Sequence, residues 1–246
     1  DQINKERQKI VDKIVKEIDA KLSAAPLPKL IFEASAQWPV GVGGLIAGKL
    51  NDKYHRPTLI FNIDGDRVKG SARSISCFDI SKAIASCSQF LEEFGGHPQA
   101  AGCNLLVKNL DKFKNCLANL AEKEIKEEDL VPVLEIDCQI KPKEINWPIY
   151  DQLQGFAPFG YANPRPLFLV SDLEIFNLRI VGNNNKHLKL ELGASGKKIK
   201  AIGFNLVSQA EGLKIGDKID IVFELLVDEW NGTRDLQMKI VDFKKK

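Results

Sequence analysis

The sequence predicts an α/β domain on a mixed sheet, preceded by a connector helix and followed by a small all-β barrel or sandwich. Three observations carry that prediction. Apolar residues recur at helical spacing over residues 2–22. Between about 27 and 128, short β-rich runs alternate with helix-like ones, the signature of an α/β domain. From about 129 onward nearly every segment is a short β-rich run bounded by turn residues. The 246 residues suit one or two domains with real cores, and the 44% hydrophobic content excludes a disordered chain.

In the first segment (1–26), Ile3, Ile10, Ile14, Ile18 and Leu22 share one helix face, and Pro26 and Pro28 stop the helix. The chain opens on Asp1 rather than Met, and is read as a piece of something longer. The helix is then either a connector from an upstream domain or an ordinary N-terminal helix packed on the core. The domain over 27–128 should comprise a strand at 30–34, a helix at 43–54, strands at 57–63 and 68–72 about an Asp64-Gly65 turn, and a helix through 80–94. A strand at 103–107 and a helix at 110–125 follow. The domain over 129–246 should hold strands at 133–140, 166–176, 178–181, 187–192, 199–204, 218–227 and 235–243, with a short helix at 149–154 and a turn at Asn231-Gly232.

Formal net charge is only +2, so global charge makes no case for a polyanionic partner, and local clustering must carry it. No apolar run approaches the roughly 18 residues of a membrane span. The five cysteines, Cys77, Cys87, Cys103, Cys116 and Cys138, form no CxxC or Cys/His spacing. They are read as reduced small hydrophobes of a cytoplasmic protein, with neither zinc nor disulfides expected.

Four groups of residues are candidates for chemistry. In GGHPQAAG, Gly95 and Gly96 permit close backbone approach and His97 can donate to a phosphate oxygen or pass a proton. The competing reading is a helix-to-strand turn with a solvent histidine. KGSARS packs Lys69, Ser71, Arg73 and Ser74 into six residues; in an extended chain Ser71 and Arg73 share a face, and an Arg fork beside a hydroxyl suits a terminal phosphate. A polar strand end pairing with Asp64 or Asp66 would produce the same string. The segment 186–200 carries five lysines against one glutamate, with Lys186 and Lys189 as candidate backbone contacts. Phe156, Phe159, Tyr161 and Trp230 are candidate stacking platforms, although Phe156 and Phe159 around Pro158 read first as packing residues, and Arg234 is a further candidate contact. Gly41, Gly43, Gly44 and Gly48 lack the Lys-Ser/Thr of a nucleotide loop and read as close helix–sheet packing.

Together the strings GVGGLIAGKLNDKYHRPTLIF, KGSARS, FDISKAI and FLEEFGGHPQAAGC resemble the DHH-associated domain of the DHH phosphoesterase superfamily. The downstream LQGFAPFGYANPRPLF, VGNNNKHLKLEL and DEWNGTRDLQMKIVDF are similar to the OB-fold domain of the RecJ family of single-stranded-DNA exonucleases. The resemblance covers nearly the whole chain. It implies an α/β domain followed by an OB-fold barrel in a metal-dependent 5′→3′ exonuclease of DNA repair and recombination. Gly95, Gly96 and His97 would close over phosphates, and Ser71 and Arg73 would hold the 5′ end. The Mn2+ or Mg2+ of the family would be bound by an upstream DHH domain, with no metal ligands and no activity expected of this chain alone. Single-stranded DNA is the implied partner, and a monomer is expected. The alternatives are a non-catalytic single-strand-binding module and a phosphodiesterase acting on short RNA or small nucleotides.

Overall fold

In the computed structural model, which describes residues 2–160, 162–182, 184–194, 196–229 and 232–246, the chain divides into two units, Asp1–Val133 and Leu134–Lys246. The first unit runs α1 (Gln2–Leu22), β1 (Ile31–Ser35), α2 (Gly43–Tyr54), β2 (Thr58–Asp64), β3 (Arg67–Arg73), α3 (Ile80–Ser86), β4 (Leu91–His97), β5 (Ala100–Leu106) and α4 (Leu110–Glu124). Its sheet has the order β1-β2-β3-β5-β4, with β1 parallel to β2 and the other pairs antiparallel. It is the expected mixed sheet.

Strand alternation gives the sheet two working faces. One face buries Phe32, Leu59, Phe61, Val68 and Leu105 against α3 and α4. Phe61 stacks on Phe32 at 4.6 Å between ring centroids and meets Phe113 edge-on at 6.2 Å. A Cβ on Gly70 would lie 2.1 Å from the Phe61 ring, so that ring requires a glycine beside it. On the other face α2 covers Ile60 with Ile46, Ala47 and Leu50, and α1 packs Val11, Ile14 and Ile18 into the same cluster. The first helix therefore packs on the first unit through these residues, while Ile3 near its start is 84% exposed.

The helix expected through 80–94 stops at Ser86, and Leu91–His97 is instead the edge strand β4. The helical apolar spacing there is real, but Ser86, Cys87 and Ser88 are weak helix formers. Pairing with β5 outweighs the local preference. Cysteine chemistry is a second correction: Cys87, closing α3, is bonded to Cys116 of α4, with Cα atoms 6.2 Å apart. Only the packing of two helices brings them together, so a separation of 29 residues carried no signal. Cys77, Cys103 and Cys138 are free, and burial pushes the Cys103 thiol up to about 12.

The second unit contains β6 (Cys138–Gln139), α5 (Trp147–Gln154), β7 (Phe168–Val181), β8 (His187–Ala194), β9 (Lys197–Gly203), β10 (Lys218–Asp228) and β11 (Asp235–Lys245). The order β10-β11-β9-β8-β7 closes through β10–β7, and β9–β11 is the parallel pair within that ring. The result is a five-stranded OB-like barrel, which decides between barrel and sandwich. Leu173, Ile175, Leu190, Leu192, Ile221, Phe223 and Met238 fill it. The two runs expected at 166–176 and 178–181 are one strand, with a register irregularity between Ile175 and Asn177. The strand expected at 133–140 shrinks to β6, because exposed Val133 and its neighbours have no ladder to join. Asn231 of the expected turn lies outside the described residues.

Candidate functional site

Residues opposite one another on paired strands share a face, so the register of β2, β3, β5 and β4 writes out the surface beside α2 row by row. The first row reads Thr58, Arg73, Ala100, His97; the second Ile60, Ser71, Gly102, Gly95; the third Asn62, Lys69, Asn104, Glu93. Helix α2 stands over the β2–β3 side of these rows. The Cβ position of Gly43 is 3.5 Å from Ser71 Oγ, and that of Gly44 is 3.5 Å from an Arg73 guanidinium nitrogen. These glycines set close helix–sheet packing, and they also leave open backbone. Among the described residues no side chain caps α2, and Gly43 and Gly44, in its first turn, have N–H groups without intrahelical partners and the helix dipole behind them.

Across β5 and β4 the floor is bare, because Ala100, Gly102 and Gly95 add almost no side chain. His97 is exposed at its far side, two strand spacings or about 10 Å from Arg73. The expected helix-to-strand turn is therefore a β-hairpin, with Pro98 and Gln99 between paired His97 and Ala100. Its tip is tied down: Ser74 N–H donates to Gln99 O at 3.0 Å and Ile80 N–H to Pro98 O at 2.9 Å. The two glycines do different work. A Cβ on Gly96 (φ +148°) would lie 2.4 Å from Ala101 Cα, whereas one on Gly95 would meet nothing within 4 Å. Ser74 does not join this surface. It is buried and its Oγ donates to Phe78 O at 2.6 Å, so the hydroxyl is spent on the loop that holds the hairpin.

In the barrel, Leu188, Leu190 and Leu192 point inward and leave Lys189 and Glu191 outside. Three of the five lysines have protein partners. Lys197 donates to Ile145 O; Lys198 lies 3.9 Å from Glu191 and over the Phe176 ring; Lys200 pairs with Asp235 at 2.6 Å. That hydrogen bond raises the Lys200 ammonium above its ordinary value. Lys186 is exposed ahead of β8, and Lys189 stands directly opposite Arg179 of β7. Like charges so placed repel, and among the described residues no hydrogen bond or ion pair engages either side chain. Arg179 escaped the sequence reading because it sits inside an apolar run; only the register reveals that it faces outward with Lys189.

At the β10–β11 end, Arg234 lies 3.5 Å from Glu229, and its guanidinium stacks over Trp147 of α5 at 4.9 Å. Trp147, which meets Tyr150 edge-on at 5.8 Å, was also missed, since nothing in sequence links α5 to Arg234. Trp230 and Tyr161 lie outside the described residues. Phe156 corrects the packing expectation: it is 66% exposed, whereas Phe159 sits under the Arg165 guanidinium.

The DHHA1 domain model matches residues 27–123, and the RecJ OB domain model matches residues 136–242. The chain belongs to the RecJ family. The single-stranded-DNA-specific exonuclease RecJ of Bacillus subtilis is 35% identical over 98% of this chain, and the RecJ of Haemophilus influenzae is 28% identical over 99% of it. Those matches cover 31% and 44% of the two relatives, so the chain spans less than half of their length. A crystal structure of RecJ from Thermus thermophilus in complex with Mn2+ superposes over 100% of this chain and 35% of its own, with a TM-score of 0.76 and 23% identity. That likeness establishes the RecJ fold.

A divalent ion, as in that Thermus complex, needs several convergent oxygen or nitrogen ligands. Among the described residues no group of three or more His, Cys, Asp or Glu side chains is placed to hold a metal ion, so they do not fit such an ion. Among the described residues no helix is long and apolar enough to cross a membrane. On the RecJ barrel, Lys186 lies between β7 and β8, Lys189 on β8 and Arg234 between β10 and β11, the loops and face that OB-folds commonly turn to oligonucleotides.

Proposed function

We propose that this chain supplies the 5′-end and strand-binding part of a RecJ-type exonuclease that removes nucleotides from single-stranded DNA in the 5′→3′ direction. The observation that carries the reading is the row structure of the first unit: Ser71, Arg73 and the open first turn of α2 on one side, a bare Gly/Ala floor, and His97 on the other. The Arg73 fork and the α2 N–H groups grip the terminal phosphate. The floor lets the strand lie close to backbone. His97 meets the following phosphate and, as a donor, offsets charge that grows on its oxygens during cleavage. The divalent ion, Mn2+ or Mg2+, is held by residues outside those described here. Arg179, Lys186 and Lys189 track the phosphates of the strand further along, and Arg234 on Trp147 offers a stacking surface. The protein acts as a monomer in the cytoplasm, and this chain alone does not turn over substrate.

The test is fluorescence anisotropy of this chain with a single-stranded oligonucleotide across salt, with and without a 5′ phosphate, and with duplex as control. Salt-dependent binding to the single strand, tightened by the 5′ phosphate and weaker for duplex, is the expected result. No binding at low salt by the folded chain would refute the reading.

A further inference from the structure

The third row of the α2-side surface has no part in gripping phosphate, yet it borders a wide recess in the first unit. This recess, about 550 Å³, adjoins a smaller one of about 100 Å³ that reaches Ser71 and Gly43. Asn62, Lys69 and Val40 line both. The charge of the large recess is unsuited to a phosphate chain: Asp64, Glu92 and Glu93 outnumber Arg67 and Lys69. Its free hydrogen-bonding groups are mixed. Asn104 Nδ2 donates to Glu93 Oε2 at 2.9 Å, which leaves Asn104 Oδ1 and the other Glu93 oxygen as acceptors. Asn62 gives its Nδ2 hydrogen bond to Trp38 O, which leaves its own Oδ1 open. Among the described residues nothing engages Lys69 Nζ, a donor beside those acceptors. Val40, 62% exposed, supplies an apolar wall.

We infer that this recess is a nucleobase subsite for the terminal nucleotide whose 5′ phosphate rests on Ser71 and Arg73, an inference that rests on the phosphate reading above. The geometry separates the two roles. The line between successive phosphates runs across the strands, from β3 toward His97 on β4. The third row lies along the strands instead, one two-residue repeat or about 7 Å from Ser71. A base leaving the sugar in that direction enters the recess with one face on Val40 and its polar edge toward Lys69, Asn104 and Glu93. Each of the four bases carries an N–H donor beside an acceptor on that edge, so the subsite reads a base as a base and tolerates sequence. The surplus of carboxylates repels a further phosphate, which makes the recess a stop at the 5′ end rather than a path through it.

The experiment titrates this chain with the four deoxynucleoside 5′-monophosphates, with unphosphorylated deoxynucleosides and with 2-deoxyribose 5-phosphate, by calorimetry and amide chemical shifts. The same titrations use Arg73→Ala and the exposed pair Glu93→Ala/Asn104→Ala, each checked by thermal unfolding. Nucleotides should bind about tenfold more tightly than the sugar phosphate, and the double variant should erase that gap while leaving sugar-phosphate affinity unchanged. Equal affinity for nucleotide and sugar phosphate, or a gap that survives the double variant, overturns the base subsite and leaves the phosphate grip standing. Nucleotide binding that depends on Glu93 and Asn104 but is indifferent to Arg73 supports the subsite and overturns the grip. No binding of any probe overturns both.

Discussion

Gly95 and Gly96 are neighbours in one strand, and the structure assigns them opposite sensitivities. At Gly96 an added Cβ would sit 2.4 Å from Ala101 Cα and 2.5 Å from Ala100 O, against backbone that cannot swing aside, and at φ +148°. Holding an L-residue in such a conformation costs on the order of 1–3 kcal/mol. Overpacking against the paired strand adds roughly 1–3 kcal/mol. Gly96→Ala should therefore lose about 2–6 kcal/mol. Gly95→Ala meets nothing within 4 Å and lies outside the left-handed region, so its stability should stay within about 0.5 kcal/mol of the parent. It should even gain slightly where the unfolded chain loses freedom. Its methyl, however, projects onto the bare floor between Ser71 and His97. Urea unfolding measures the first effect, and anisotropy with a 5′-phosphorylated oligonucleotide the second. Gly95→Ala should unfold like the parent yet bind at least several-fold more weakly. A Gly95→Ala variant that unfolds early, or a Gly96→Ala variant with an unchanged urea midpoint, would refute the row assignment.

Arg73→Lys retains the charge but loses the fork; the affinity gain from a 5′ phosphate should shrink, and with Arg73→Ala vanish, as read by anisotropy. Lys189→Ala and Arg179→Ala should each lower the slope of log affinity against log salt by about 1. Arg179→Ala should also leave the barrel as stable or more so, by roughly 0.2–1 kcal/mol, since it relieves a like-charge pair. Reducing Cys87–Cys116, or replacing both with Ala, should cost about 3–4 kcal/mol from the length of the closed loop, measured by urea unfolding of the first unit. Asp79 caps α3 by accepting from Ser81 Oγ and Lys82 N–H, bonds that hold its carboxyl below the ordinary range. That contribution is present above the ordinary carboxylate value and fades as pH falls through the lowered one. The thermal-midpoint gap between parent and Asp79→Ala should narrow on acidification; a gap that widens would contradict the cap.

Periodicity was enough for α1, α2 and α4, because their apolar faces are amphipathic over three turns or more and nothing downstream competes. It was enough also for the β-rich texture of the second unit and for the shared face of Ser71 and Arg73, since alternation along a strand is a local property. It failed over 80–94, where a helical pattern and a strand differ only in which neighbour is present, and β5 supplies the ladder that decides. Ser74 looked equivalent to Ser71 as a residue type; beyond the end of β3 it is buried, with its hydroxyl donating to Phe78 O. The resemblance located His97, but its position opposite Arg73 across a bare floor is a fact of register.

The sequence by itself determined helices α1, α2 and α4, the β-rich texture of the second unit, the RecJ-like strings and the shared face of Ser71 and Arg73. Tertiary structure alone decided which residues stand side by side: Arg179 with Lys189, Trp147 under Arg234, Cys87 with Cys116, and Asn62, Lys69, Asn104 and Glu93 as one row. Those pairings are long-range contacts. They are set by strand register and helix packing, which depend on the whole buried core, and no local window of the chain encodes them.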